Sequence, residues 1–476
     1  MVRAGSDTQV GESKRSARLA GWTTPYQLLN DELVQRTDEG CDVPASLRDR
    51  IAHIDHNIDA WNLALIDPIY DELMSLPQDE DLASREPNDL QAIRKLRPDG
   101  PRTLSFNPTE DELIDKLHGA WTGRCVGCAL GKPVEIMGFH RNSDGKPDGR
   151  AQIKQYLTNR NAWPLTDYFP GDDAGDGLIL EYPKSQREHI RYMEPDDDIN
   201  YSLIGLKVLE DFGPDFTWID VAKTWLNCLP IRTICTAELQ AILNFQQHDT
   251  HLSGHNPAVD PAWIRRYRNP YREWIGAQIR SDGFAFCCAG NPQLAAEFAW
   301  RDAHWTHERN GIYGEMMFAA IQAAAFAEPD PHRLIEIGLS EIPAECRLAQ
   351  WVRRAVLWCG EYPEFESCMD RLEKELADMN PVHTINNAMI CVVAMIYGEM
   401  DTAKTPAIAV MCGLDTDCNG ATTGSIVGAA SGRKAFNDKL AAPLNDEVRP
   451  NMLGFKQVKM RELAERSAAL AYRWKA

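Results

Sequence analysis

No apolar run in this chain approaches the roughly eighteen residues that a membrane helix needs; the longest, Ala388 to Tyr397, suits a buried helix. The N-terminus carries Lys14 and Arg15 with no apolar region after them, which is not the pattern of a signal peptide, so the expected compartment is the cytoplasm. Positive charge is in short supply: 50 Lys and Arg against 70 Asp and Glu leave a formal net charge of -20. That balance argues against nucleic acid and anionic membranes as partners, and a phosphorylated substrate would need local positive charge, which a bound metal can supply. The G-x-S-x-G elbow, the P-loop and the spaced G-x-G-x-x-G are all missing, which leaves serine hydrolases and the standard nucleotide-binding classes without support. Alternating strand patterns are few, and there is no internal repeat or low-complexity segment. Cysteine is not scarce, but thirteen residues at irregular spacing read as free thiols in a reducing compartment.

What the chain does have is concentrated in three stretches. In Gly413 to Ala429, Gly420, Gly424 and Gly428 recur every fourth position with Ala421, Ser425 and Ala429 beside them, so one helical face can approach another backbone closely. Glycine inside a helix costs about 1 kcal/mol relative to alanine, and a tertiary contact must offset it. Asp415 and Asp417 stand at the entrance of this helix, where unpaired N–H groups and the macrodipole favour anions. The second stretch, Glu194 to Glu210, has helical spacing at Ile199, Leu203, Leu206 and Leu209 and places Asp196, Asp197 and Asp198 at its start, after Pro195. If the two clusters face each other, about five negative charges share a small volume, and protonation or hard cations must relieve them. The third stretch carries a glycine ladder of its own, Gly119, Gly123, Gly127 and Gly131, and ends near Glu135; packing the two ladders would gather these acids.

These stretches resemble the ADP-ribosylglycohydrolase family. Its late signature looks like G-x-D-T-D followed by a glycine-faced helix, matched by Gly413 to Ala429. Its middle signature, Thr-Asp-Asp before a helix, is matched by Asp196-Asp197-Asp198 with Asp in place of Thr, and its glycine-rich opening helix by Gly119 to Glu135. The resemblance implies an all-α fold, a compact orthogonal helical bundle. It also implies a metal-dependent hydrolase that breaks a ribosidic bond and releases ADP-ribose from a protein side chain or small molecule. Two Mg²⁺ ions, with Mn²⁺ as a substitute, would be held by Asp196, Asp197, Asp198, Asp415 and Asp417, with Glu135 and Asp417 as catalytic acids. By the same resemblance His307, after Thr306, contacts ADP-ribose, and Asp282 and Gly283 fall where relatives have a Gly-rich loop near the diphosphate. Cys128 stands where the family usually has Asp, and Cys418 where it commonly has a ligand Thr; a thiol is a poor Mg²⁺ ligand.

Residues 111–476 are expected to form the catalytic domain and 1–110 an accessory region. Within the latter, Ser46 and Asp49 resemble a capping box ahead of a single amphipathic helix carrying Leu47, Ile51, Ile54, Ile58, Trp61 and Leu65 and ending at Pro68, which should dock on the core. Leu76 to Pro108, rich in proline and charge, reads as an extended surface connector. Cys125 and Cys128 lack the second pair that a zinc ribbon needs and read as buried thiols. Gly171 to Gly177 lacks the ligand spacing of a calcium loop and reads as a solvated turn. His248, His251 and His255 lie among loop-forming residues instead of on a ligand-bearing helix. Two other classes stand beside the hydrolase. One is a non-catalytic ADP-ribose or nucleotide binder of the same fold, supported by Cys128 and Cys418. The other is a terpene-synthase-like enzyme, for which Asp196-Asp197-x-x-Asn200 approximates one Asp-rich motif while the required second motif is absent.

Overall fold

The structure is a computed structural model that describes residues 23–58, 62–248 and 260–473. Among its described residues the regular structure is almost all helix; the only strand pairing into a sheet there is the antiparallel pair Glu447–Val448 and Val458–Lys459. The all-α expectation holds.

The centre of the molecule is the pair of glycine-faced helices, Glu110–Gly131 and Thr416–Ser431. The first starts at a capping box in which Glu112 N–H donates to Thr109 Oγ1 at 3.3 Å and Thr109 N–H donates to Glu112 Oε2 at 2.8 Å, with three acids in its first turn. From Gly119 onward every residue of it is buried. The two helices run antiparallel and touch backbone to backbone. A Cβ placed on Gly123 would lie 1.9 Å from the Gly424 carbonyl oxygen, one on Gly127 would lie 1.9 Å from that of Gly420, and one on Gly428 would lie 2.1 Å from that of Gly119. No side chain fits, which is why both sequences carry glycine at every fourth position. The register puts Gly131, at the end of one helix, against Thr416, at the start of the other. Whatever follows Gly131 is thereby set beside whatever precedes Thr416.

Around this pair pack wholly or largely buried helices, among them Asn310–Ala325 and Thr384–Gly398; the latter contains the apolar run 388–397 expected to be a core helix. Asp197–Phe212 crosses Ser281–Phe286 closely, because a Cβ on Gly283 would meet the Ser202 carbonyl oxygen at 2.1 Å. All thirteen cysteines are free, and Cys125 and Cys128 are buried as expected. The stretch 171–177 is an exposed turn region.

The N-terminal region departs from expectation in two places. The helix expected across 47–65 stops at Ala52: Ala45–Ala52 is followed by turns, a 3-10 turn at Leu63–Leu65 and a new helix, Asp67–Ser75. Ser46 lies inside the first helix and caps nothing; Pro68 opens the next helix, a position that suits its fixed φ and missing N–H. Leu47 and Ile51 are buried, Leu65 is exposed, and Trp61 lies outside the described residues. The buried ones join Leu28, Leu29, Leu63, Ile66, Tyr70 and Leu73 in a small core separate from the main one. Docking on the body is carried largely by polar groups: Arg272 is buried between Glu32 and Glu39, 2.7 Å from each, and Gln35 donates to Glu273 at 2.8 Å. The connector 76–108 is not simply extended. It forms two short helices, Glu80–Arg85 and Leu90–Leu96, capped by Asp79 and Asp89, and buries Glu86 against Arg347 at 2.8 Å.

Gly424→Ala should destabilise the protein by about 3 kcal/mol, because the obstruction is backbone that cannot rotate away. Gly360→Ala, in the helix Arg347–Glu361 with nothing within 4 Å of the added methyl, should instead stabilise it by about 0.5 kcal/mol. Denaturant midpoints of the two variants check this; equal effects would mean that the helix contact is looser than described.

Candidate active site

Two helix N-termini meet at one cavity. Asp415 is the N-cap of Thr416–Ser431 and Asp417 lies in its first turn; Asp415 N–H donates to Asn387 Oδ1 at 3.2 Å, which fixes the entry of the chain. Asp196 is the N-cap of Asp197–Phe212, its Oδ1 accepting from Asp198 N–H at 3.0 Å. Glu135 opens a short helix, Glu135–Gly138, reached from Gly131 through a single 3-10 turn. All six acids, Glu135, Asp196, Asp197, Asp198, Asp415 and Asp417, line one cavity of about 210 Å³, with Phe139, Tyr182 and Trp274 forming part of its wall. Pockets for drug-sized ligands run about 300–1,000 Å³, so this one encloses a sugar-sized group and leaves the rest of a larger ligand outside. A wider cavity of about 1070 Å³, lined by Leu165, Tyr362, Phe365 and Tyr397, contains none of these acids. Chemistry outweighs size here, because the smaller cavity gathers acids away from solvent, whereas the charged residues of the wider one, Glu361, Glu364, Glu399, Asp401, Lys404 and Lys439, are exposed and of both signs.

The charges are far from balanced. These six carboxyl groups are opposed by two buried cations in contact with them, and a seventh lining acid, Glu238, has its own partner in Arg280. Arg124 reaches Asp198 at 2.7 Å and Asp282 at 3.1 Å, and Lys132 reaches Asp196 at 2.9 Å. Burial pushes Asp197, Asp198 and Asp415 well above the ordinary carboxylate range; neighbouring acids add to this, and Arg124 opposes it at Asp198. Asp417 is raised to about 6, by burial first and Asp196 second. Glu135, half-buried, is pushed well up by desolvation and then by Asp417 and Asp415. The Oδ1 atoms of Asp415 and Asp417 are buried without a hydrogen-bond partner. Orphaned carboxylate oxygens beside excess negative charge fit a hard divalent cation. Cys418 does not extend that set: its thiol donates to Asp198 Oδ2 at 3.1 Å, and burial raises its pKa further from thiolate.

Three residues expected at the substrate lie elsewhere. The segment 281–283 is no loop; it begins the buried helix Ser281–Phe286. Asp282 is fully buried as a counter-ion of Arg124, and Gly283 serves the close helix crossing. His307 is also fully buried, its Nδ1 paired with Thr306 Oγ1 at 2.8 Å and its Nε2 3.7 Å from Glu238. Burial and Arg280 hold its pKa well below the usual histidine value. Glu238 is the residue that faces the cavity there, paired with Arg280 at 2.6 Å and raised to about 7 by burial. Sequence reading missed Arg124, Lys132 and Glu238. The first two had a signal, being charged residues in a run of Gly, Ala, Cys and Leu; Glu238 had none. His251 and His255 lie outside the described residues, and His248 ends the helix Thr236–His248.

These observations define an all-α protein whose two facing helix N-termini enclose a buried acid cluster. A family model described as ADP-ribosylglycohydrolase matches residues 109–476, and the chain belongs to that family. Membership supports a hydrolase of that family, with ADP-ribosylated substrates in general, and removes the ground for a terpene-synthase-like reading. Among solved structures, one named "ADP-ribosylglycohydrolase-related protein complex" is similar at 20% identity with a TM-score of 0.47, covering 77% of this chain and 100% of that one. No curated protein matches the chain. Among the described residues no helix is long and apolar enough to cross a membrane.

The raised Asp417 carboxyl has a consequence for metal-free stability. Moving from its ordinary 3.8 to about 6 in the fold, this group binds its proton more tightly folded than unfolded. Stability is therefore undiminished below the lower value, falls as pH rises through this window, and carries the full penalty above the upper one. At pH 7.5 in EDTA, Asp417→Asn should relieve a penalty of order 1–3 kcal/mol and raise the thermal midpoint, while abolishing any rise produced by Mg²⁺. A variant midpoint at or below that of the wild type in EDTA would show that the charge is already compensated.

Proposed function

We propose that the cavity holds the ribose of an ADP-ribosyl group and hydrolyses the bond at its C1, releasing ADP-ribose from a protein side chain or small molecule. The observation that supports this best is the convergence of Glu135, Asp415 and Asp417 with Asp196 to Asp198 in one sugar-sized cavity. Acids of the cluster, Asp415 and Asp417 foremost, would hold a divalent cation, Mg²⁺ or Mn²⁺. When bound, it would orient the ribose hydroxyls and the attacking water and lower the barrier to deprotonating that water.

The chain's own part begins with charge. As the bond from C1 to the leaving group breaks, positive charge develops at C1 and the ring oxygen, and the surrounding carboxylates stabilise it. Glu135, half-buried and held well above the ordinary carboxylate range, takes the proton from water as its oxygen bonds to C1; the charge of Asp417 favours the same transfer. The leaving group departs with the bonding pair and takes a proton from solvent, to which Glu135 then returns the one it accepted. Phe139, Tyr182 and Trp274 offer apolar surface for the remainder of the substrate. His307, Asp282 and Gly283 have no direct contact with substrate in this reading. Residues 111–476 would be the catalytic domain, a division supported by the family match beginning at residue 109, and residues 1–110 an accessory region. The free cysteines favour a reducing, cytoplasmic setting.

A second reading, ADP-ribose binding without turnover, is favoured by Cys128 and Cys418, which stand at positions where the family usually has Asp and Thr. A panel of ADP-ribosylated arginine, ADP-ribosylated serine, ADP-ribose esters and nucleosides, assayed with Mg²⁺ or Mn²⁺, separates the two. The expected result is release of ADP-ribose from at least one substrate. Glu135→Gln should lower kcat by about 10²–10⁴-fold with little change in KM, and Asp415→Asn should lose both activity and metal affinity. Binding of ADP-ribose with no release from any substrate would establish the second reading.

A further inference from the structure

Lys132 is a lysine in an unusual position. Its side chain is almost fully buried, and the ammonium donates to the Pro195 carbonyl oxygen, pairs with Asp196 Oδ2 at 2.9 Å and lies 4.6 Å from the centre of the Tyr182 ring. Carbonyl, carboxylate and aromatic face enclose the charge from three directions. Tyr182 is itself held in a left-handed conformation, φ 47°, which a tyrosine seldom adopts and which keeps its ring over the ammonium.

The acid cluster offers three groupings compact enough for a cation: Cys128 with Asp196 and Asp417; Asp196 with Asp197 and Asp198; and Asp198 with Asp417 and Cys418. Two of the three depend on Asp196. Yet both oxygens of Asp196 are already engaged, Oδ1 by the Asp198 N–H at 3.0 Å and Oδ2 by Lys132. The third avoids Asp196 but includes Asp198, whose Oδ1 is paired with Arg124 at 2.7 Å and whose Oδ2 accepts the Cys418 thiol at 3.1 Å; the neighbouring Asp415 and Asp417 each present a buried oxygen with no partner. Lys132 on Asp196 and Arg124 on Asp198 are thus tethered cations already in place, and unpartnered carboxylate oxygen is left on Asp415 and Asp417.

We infer that Lys132 stands in for one divalent ion, so that the site takes a single ion, on Asp415 and Asp417, with the lysine ammonium covering the Asp196 side. This rests on the proposed reading of the cluster as a cation site. A tethered ammonium needs no capture from solution and loses no translational freedom on binding, but it carries one charge instead of two and has no open position for water. The Asp196 side then serves charge balance, and activation of water is confined to the Asp415–Asp417 side.

The test is metal stoichiometry on the full chain, by calorimetric titration with MnCl₂ and by elemental analysis after desalting. Wild type should bind one Mn²⁺, and Lys132→Met should bind two. Because the Asp196 carboxylate is spent on lysine, Asp196→Asn should keep the single ion with its Kd unchanged within about threefold, whereas Asp417→Asn should weaken it by about tenfold or more. Two ions in the wild type, one ion in Lys132→Met, or loss of the ion in Asp196→Asn overturns the inference while leaving a metal site in place. No Mn²⁺ bound by the wild type overturns the inference together with the reading it rests on. The wild-type count and the Asp196→Asn affinity decide the matter even if Lys132→Met does not fold.

Discussion

The contact on which the rest depends is the one between the backbones of Glu110–Gly131 and Thr416–Ser431. Each interior glycine costs about 1 kcal/mol in helix propensity, and the ladders spend several of them. The return is dispersion and burial along an interface with no side chain in it, and a register that cannot slide without driving carbonyl oxygens into Cα atoms. Gly131 against Thr416 is the end of that register. It makes Glu135 a neighbour of Asp415 and Asp417 although 280 positions separate Glu135 from Asp415 in the sequence. Fold stability and site geometry are thus set by one contact.

A site so assembled is electrostatically expensive. Burial and neighbouring acids raise the pKa values of Glu135, Asp197, Asp198, Asp415 and Asp417, while Arg124 and Lys132 sit among them as counter-ions. Arg124 also ties the site to the core. By bridging Asp198 and Asp282 it joins the helix Asp197–Phe212 to Ser281–Phe286, the same pair that Gly283 lets approach. Asp282 thus bears on the cavity through Arg124, at one remove, and its replacement would leave a buried guanidinium short of a partner. The remaining excess of acid is what the proposed divalent cation would offset.

The legible parts of this structure were local in sequence. A four-residue glycine period states its own helical face, and Asp pairs before a small-residue helix state a crowded N-terminus; both needed only spacing. His307 and Asp282 were misplaced because a polar residue on a helix looks the same whether it faces a cavity or a buried counter-ion, and the partners that decide it, Thr306 and Arg280 in one case and Arg124 in the other, are fixed by tertiary packing. The helix expected across 47–65 failed for a different reason. Apolar residues at helical spacing continued through a turn, since Leu47 and Ile51 on one side and Leu63 and Ile66 on the other bury into the same small core from two separate elements. Periodicity reports burial, and burial does not require an unbroken helix.

That small core has a bearing on the cavity. Glu32 and Glu39 grip Arg272, and Gln35 donates to Glu273; the next three residues, Trp274, Ile275 and Gly276, line the acid cavity. Ile275 N–H is held in turn by the Val382 carbonyl at 2.9 Å, and Thr384 N–H donates to the Glu273 carbonyl at 3.0 Å, so the wall is a short, irregular segment pinned from both sides. Irregular backbone has no internal ladder to keep it rigid, and the proposed hold on a sugar would need a wall that does not move. The N-terminal region supplies half of that restraint through fully buried charged groups instead of an apolar stripe. An ion pair at this depth adds little net stability, but breaking it is costly, because it strands a charge where water cannot reach. The region from Pro25 to Ser75 is therefore coupled to the cavity by the arrangement it enforces on Arg272 and Glu273, and it needs no residue of its own inside the site to influence what binds there.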